Sequence, residues 1–544
     1  MNFETCLFCI PVLSVAAASA VHATAYIHGD ARRHLLRFWC FFSATVVSMA
    51  AVVFSGGKLS FLLAWEAMGL ASAGLVAFEA SQKSVRNATW IYLLACHAGA
   101  CALMLAGVLL MRPDAWAAAF AFAVVGFGLK IGFPPFHAWL PEAHPAAPAP
   151  ASALMSGAMI PLGFFGFLKF FPVSGLDPSC ASIYGWTFLA LGAIGAMGGI
   201  LFSLPQANLK RLLAFSSVEN MGIVAMGLGL GALVSVRTPS SPVASLCVAG
   251  ALAHVLNHAF LKGALFLGAG SVLRQTGTLF AVNAMGLAGL PPLNGFLGEL
   301  AIYTGAFSAI KTGDPVLVVA GFLVAVALSL AGGLAVAAYA KAIGCTFLGE
   351  PRSPEAAAAV ETPRRMWMAQ LFLLVLSLAM VPGTVFLVHR MANGHATGIM
   401  VCAAFLGLVF LVLVAAVLLL RAIACPRGSD RRTTPVWDCG YANPTARMAY
   451  TATAFTQPLA DLFRPLLRSR RHVIPFGGDP ASPSDAAIAT ETGDIAICGL
   501  WRPLFTAVAR IFQRAHLLQN GSLHLYILIV ILAMVSLLIF ALVS

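Results

Sequence analysis

Charge is what this sequence has least of. Only 10% of its 544 residues are Asp, Glu, Lys or Arg, against 60% hydrophobic. That excludes an ordinary soluble domain, which needs far more polar material on its surface. Motifs for redox and phosphate chemistry are absent too. There is no glycine-rich phosphate loop, no flavin or nicotinamide fingerprint, no iron–sulfur cysteine cluster and no Ser/His/Asp arrangement at a defensible spacing. The chain therefore carries no visible cofactor of its own, and any electron transfer belongs to partners. The 12 cysteines are scattered, mostly in apolar runs where Cys acts as a small hydrophobe. Cys6 and Cys9 make a single C-x-x-C without companion ligands, which argues against a metal. The formal charge of +12 does not signal nucleic acid, because Lys and Arg fall in short connections and one late polar stretch.

What is present is long apolar runs. Windows near 5–27, 37–55, 60–80, 88–111, 115–138, 149–171, 184–205, 211–235, 243–273, 279–310, 315–348, 365–388, 397–424 and 523–543 predict an all-α polytopic membrane protein of about 14 spans. The first window ends in Ala-Thr-Ala like a signal peptide. Its start carries Glu4 and no Lys or Arg, so it reads as a span. An N-terminus outside puts Arg32, Arg33, Arg37, Lys83, Arg86, Lys210, Arg211, Arg274, Arg352, Arg364 and Arg365 on the cytoplasmic side. The opposite loops keep only Lys58, Arg112, Arg237, Lys311 and Arg390, so the positive-inside rule favours this orientation. Three parts follow: a membrane core over 1–424, a polar basic segment over 425–522 and a terminal anchor over 523–544. In the middle part Leu500, Leu504, Val508, Ile511 and Phe512 share one helical face, with Arg502, Arg510 and Arg514 towards the other. Such a helix lies on a membrane surface or against a partner.

Several spans read as broken. Pro134 and Pro135 interrupt the fifth, Pro291 and Pro292 the tenth, and Gly332 and Gly333 divide the long eleventh. Breaks at membrane depth survive only where protein or a water-filled cavity satisfies the freed backbone, which suits a transporter or channel.

Ionisable residues inside apolar windows are the site candidates, because each costs roughly 2.5–3.5 kcal/mol on insertion scales. Glu66, in FLLAWEAMGLAS, is either an intramembrane acid or an interfacial carboxylate near Lys58. Lys130, one turn before the double proline, either snorkels or forms a proton switch with a carboxylate. His254, His258 and Lys262 are spaced by four and stack along one helical face. Such a file suits proton hopping, and the competing metal site lacks local companion ligands. Lys341 either snorkels or joins the path; Glu299 either ends a half-helix or takes part. His97 and Lys169 are possible accessories.

FHAWLPEAHPAAPAPASALMSG, LKRLLAFSSVENMGI, LNHAFLKGALFLGAGS, LPPLNGFLGE, CTFLGEPRS, VWDCGY and HLLQNGSLHLY together resemble the antiporter-like membrane subunits of complex I and group 4 hydrogenases. The proline-alanine form of the first motif and the VWDCGY stretch are similar to the formate hydrogenlyase and hydrogenase-4 branch. The resemblance implies two inverted five-helix repeats with broken helices, a lateral helix and an anchor helix, in a bacterial inner membrane. It implies proton movement coupled to electron transfer in partners, namely other membrane subunits and a peripheral arm with Fe–S clusters and a NiFe or other redox centre. By motif, Glu66 and Lys130 resemble a pair in the first repeat, His254, His258 and Lys262 the central relay, and Lys341 the terminal residue. Compared with the family pattern an N-terminal helix pair is missing, the stretch between Arg274 and Pro291 is shorter by about twenty residues, and Pro161 stands where relatives place a lysine. A sodium/proton antiporter without redox partners and a scaffold that has lost pumping are the alternatives.

Overall fold

The computed structural model describes residues 3–27, 32–271, 274–291, 293–349, 351, 354–424, 450–479, 482–515 and five positions between 528 and 535. VWDCGY, HLLQNGSLHLY, Pro292, Arg352 and nearly all of the window at 523–543 lie outside the described residues. The first compact unit is Met1–Thr492. It opens with α1 (Phe3–Tyr26), α2 (Arg32–Phe54), α3 (Lys58–Val76), α4 (Lys83–Leu109) and α5 (Trp116–Ile131). After a break come α6 (Leu140–Ala146), α7 (Ala149–Leu154) and α8 (Leu162–Phe170), then α9 (Pro178–Ser203), α10 (Leu209–Arg237) and α11 (Val243–Ala269). A second broken stretch gives α12 (Arg274–Leu287) and α13 (Asn294–Lys311), followed by α14 (Pro315–Ile343), α15 (Pro354–Ala357), α16 (Arg364–Met391) and α17 (Thr397–Ala424). The unit closes with α18 (Ala452–Leu462), α19 (Arg464–Leu467) and an antiparallel pair, β1 (Arg470–Asp479) and β2 (Ser482–Glu491), in which Arg470 faces Glu491. The second unit, Gly493–Ser544, contains α20 (Arg502–Ala515).

Among the described residues twelve helices or helix pairs are long and apolar enough to cross a membrane, so the chain is a multi-pass membrane protein. The middle is α10, whose apolar window is wholly buried, with α11 buried over most of its length. By contrast α17 is almost entirely exposed. Helices in lipid gain little from hydrophobic contact with each other and rely on close packing of small residues. The α9–α10 pair is built that way. Gly185, Gly192 and Gly199 on α9 repeat every seven residues and meet Gly229, Gly222 and the Glu219 backbone on α10 in turn. A Cβ on Gly222 would lie 2.3 Å from the Ala196 nitrogen and 2.5 Å from the Gly192 oxygen.

Two breaks share one pattern. α5 stops at Gly132 (φ +87°) and α12 is followed by Gly289 (φ +67°), and each glycine precedes an apolar residue and then proline. Proline lacks the N–H that would continue a helix. The carbonyls left open need donors, and Trp139 Nε1 supplies one to Leu129 O at 2.5 Å.

Two expectations change. The eleventh window has no break: α14 runs unbroken through Gly332 and Gly333, whose Cβ positions meet nothing within 4 Å, and a π-helical turn at Gly344–Leu348 follows. Glycine weakens a helix, but without proline or an inserted group it does not divide one. The tenth window is interrupted as expected, and its two halves are α12 and α13 with the break between them. The strand pair departs from an all-helical reading, in a Pro/Gly/Ser-rich stretch that has no helical periodicity.

Candidate functional site

The first group of ionisable residues lies where α3, α4 and α5 meet. Glu66 Oε1 is 2.5 Å from His97 Nδ1, with the acid 24% and the imidazole 51% exposed. Lys130 is buried on α5. Its Nζ donates to Tyr92 OH at 3.4 Å and Cys96 Sγ at 3.3 Å, and sits 5.8 Å from the Trp65 ring. Glu66 therefore pairs with His97, and no direct Glu66–Lys130 ion pair forms among the described residues. Adjacent helical residues point about 100° apart, so Trp65 turns inward onto the lysine while Glu66 turns towards α4. Beside Lys130, Trp65, Cys96, Gly99 and Trp139 line a cavity of about 10 Å³, roughly one water's worth. Tyr92 OH also shares a proton with Ser72 Oγ at 2.6 Å and points at Met159 Sδ, 3.6 Å away.

The second group is in the centre of the molecule. His254, His258 and Lys262 do lie on one helix, α11, and all three are fully buried. His254 Nε2 is 3.0 Å from Asn220 Oδ1 on α10, and Asn220 Nδ2 donates to Ser216 O at 2.7 Å. The geometry makes Nε2 the protonated nitrogen, since an amide oxygen only accepts. Neither ring nitrogen of His258 has a partner, which in a buried polar site leaves room for water to serve as one. Lys262 Nζ donates to Leu213 O at 2.9 Å, to Ser216 Oγ and to Tyr339 OH at 3.4 Å.

Two buried acids flank this file. Glu299 belongs to α13, next to Gly298, whose Cβ would lie 3.2 Å from His254 Cβ. Its carboxylate fills the space a side chain at Gly289 would take: a Cβ there would be 2.6 Å from Glu299 Oε2. Gly289 is thus required twice, by its positive φ and by the acid packed on it. Glu219, on α10, is buried and within electrostatic reach of both Lys262 and Glu299. Sequence reasoning did not single out Glu219. The signal was present, since Glu219 is an acid deep in an apolar window, as Glu66 is. Asn220, Ser216 and Tyr339 carry no charge and offered no such signal.

Two lysines stand apart. Lys341 Nζ donates to Leu204 O at 2.5 Å and Gln206 O at 2.7 Å, where Thr456 Oγ1 also reaches Leu204 O at 2.7 Å. It holds the open C-terminal end of α9, a place that favours cations. Lys169 Nζ bonds Ser55 O at 2.5 Å and Ser55 Oγ at 2.9 Å, tying α8 to the α2–α3 turn. Pro161 is buried at the start of α8, directly after a π-helical turn at Met155–Met159. Among the described residues no three His, Cys, Asp or Glu cluster closely enough to hold a metal ion.

Residues 110–329 match the family model described as "NADH:quinone oxidoreductase/Mrp antiporter, TM". The chain is 33% identical to hydrogenase-4 component B of Escherichia coli, over 92% of this chain and 82% of that protein. Its fold is similar to a chain of an archaeal membrane-bound sulfane sulfur reductase, a respiratory membrane complex, with TM-score 0.70, 20% identity and coverage of 99% and 89%. It is also similar to a chain of the Mrp complex of Dietzia, with TM-score 0.58, 18% identity and coverage of 75% and 86%. With a relative this similar over most of both chains, and with the breaks and buried cations described above, the chain belongs to the antiporter-like family of membrane subunits that includes hydrogenase-4 component B.

Proposed function

We propose that this chain is a proton-translocating membrane subunit of a hydrogenase-4-like or complex I-like oxidoreductase complex. Electrons pass in partner subunits, a peripheral arm holding Fe–S clusters and a NiFe or other redox centre, while this chain moves protons. The observation that carries the reading is the buried file of His254, His258 and Lys262 on α11. An unpaired charge costs several kcal/mol in a bilayer, and two histidines and a lysine at one-turn spacing with open ring nitrogens serve no packing purpose. Glu66, His97 and Lys130 form the first-half station and Glu219 and Glu299 flank the second. Lys341, with its two backbone acceptors, fits an anchor better than a relay. The positive-inside pattern favours an N-terminus outside, and the likeness to hydrogenase-4 component B of Escherichia coli favours a bacterial inner membrane.

A second reading, a cation/proton antiporter without redox partners, is favoured by the likeness to the Mrp complex. Identifying the subunits that co-purify from native membranes separates the two. The common core is tested by proton uptake into vesicles holding the intact complex. His258→Ala should abolish most uptake per turnover while the complex stays assembled, and undiminished uptake would refute proton carriage by this file.

A further inference from the structure

Pro161 leaves a gap between the two groups of ionisable residues, and what surrounds it is unusual. Ile160 N bonds Met155 O at 3.0 Å, the i to i−5 pattern of the π-helical turn. Such turns are rare and concentrate at functional sites. The wider turn directs Ser156 onto α10, where its Oγ is 2.9 Å from Ser217 Oγ; both residues are fully buried. Ser217 Oγ in turn donates to Leu213 O at 3.0 Å, and that same oxygen accepts from Ser216 Oγ at 3.1 Å and Lys262 Nζ at 2.9 Å. Ser217 and Lys262 thus converge on one carbonyl, which accepts from both and has no proton of its own to pass between them.

On the other side, Lys130 reaches Tyr92 OH, which faces Met159 Sδ in the same π-helical turn. A thioether accepts a hydrogen bond but has no proton to pass on. The hydroxyl pair that shares an acceptor with Lys262 ends at Ser156, one turn before Met159, and the chain from Lys130 ends at Met159.

We propose that the Ser156–Ser217 hydroxyl pair is the proton link from the first half into Lys262, standing in for the titratable side chain that Pro161 cannot supply. A hydroxyl accepts one proton on a lone pair as it releases its own, so the pair passes a proton without holding charge in the apolar turn. Water beside Met159 completes the route to Tyr92, and a second water at the Leu213 carbonyl carries the proton from Ser217 Oγ to Lys262 Nζ. Ser156 is positioned for this by the π-helical turn, whose Gly157 packs on α11, where a Cβ would lie 2.7 Å from Ala259 O.

The inference rests on the function proposed above, and the test keeps the two apart. Proton translocation per turnover is measured in vesicles with the intact complex carrying Ser156→Ala, Ser217→Ala, Ser156→Thr, His258→Ala, or Ser156→Ala with Pro161→Lys. The alanine variants should slow translocation about a hundredfold, the low end of what a positioned proton-transfer group contributes. The threonine variant, which keeps its hydroxyl, should hold the wild-type rate, and Pro161→Lys should restore transport to Ser156→Ala. Subunit content and thermal stability are followed in parallel. Full translocation in both serine variants alongside loss in His258→Ala overturns the hydroxyl link and leaves the proposed function standing. Full translocation in His258→Ala overturns both.

Discussion

Replacing Gly222 by alanine tests whether the contact of α9 with α10 holds the central file in place. The added Cβ would lie 2.3 Å from Ala196 N, 2.5 Å from Gly192 O and 2.9 Å from Gly195 C. All three are backbone atoms, so no side chain can rotate away and the helices must part by about an ångström to reach ordinary contact, at a cost of roughly 1–3 kcal/mol for overpacking. Gly198, also on α9, is the control. Its Cβ would meet nothing within 4 Å, so alanine there should be neutral or stabilise by about 0.5–1 kcal/mol through lower chain entropy. The assay is thermal unfolding of the purified complex in detergent, with both variants side by side. Because α10 also carries Ser216, Ser217, Glu219 and Asn220, Gly222→Ala should reduce proton translocation in assembled complexes as well. Equal midpoints for the two variants would refute the claim that backbone contact sets the α9–α10 distance.

Three further outcomes follow from the same geometry. Lys341→Met should lower the unfolding midpoint, because Gln206 O loses its side-chain donor at about 1–3 kcal/mol while Leu204 O keeps Thr456 Oγ1; an unchanged midpoint would show that water replaces the amine. Deleting residues 499–544 should release the chain from its complex while the membrane core stays folded, since α20 leaves Leu504, Phe505 and Val508 exposed beside its arginines; normal co-purification of the truncated chain would sink this. The Asp314 carboxyl is held below its ordinary 3.8 by hydrogen bonds from Arg237, at 2.7 Å for the shortest. Its folded value is depressed, so its contribution is complete above the unfolded value and fades as pH falls through the folded one. Asp314→Asn should therefore flatten the acid limb of stability below 3.8, which a pH series of unfolding midpoints reads directly.

The apolar windows and the His254–His258–Lys262 file were legible because both are properties of a single helix: length sets the span, and a spacing of four sets the face. Partners across helices were not legible. Whether Glu66 meets His97 or Lys130 depends on the rotation of α3 about its axis, which Trp65 settles by packing onto Lys130. The two carbonyl acceptors of Lys341, at Leu204 and Gln206, are about 135 positions away in sequence and so gave no local signal. The Ser156–Ser217 pair spans 61 positions and joins two residues that are unremarkable in any apolar run. Glu219 is different in kind: the rule that singled out Glu66 applies to it equally, and only its place inside a longer motif drew attention elsewhere.

The two groups of ionisable residues are built for different surroundings. In the first, Glu66 and His97 pair between α3 and α4 and are partly exposed on the surface of the chain. In the second, Glu219, Glu299, His254, His258 and Lys262 are all buried. Charges there interact strongly, and a proton added to one group is felt by the others. A change of charge at any one of these groups therefore acts on the rest of the inner group. The route proposed above runs from a partly exposed outer group to a fully buried inner one, and the step between them falls at the π-helical turn that precedes Pro161.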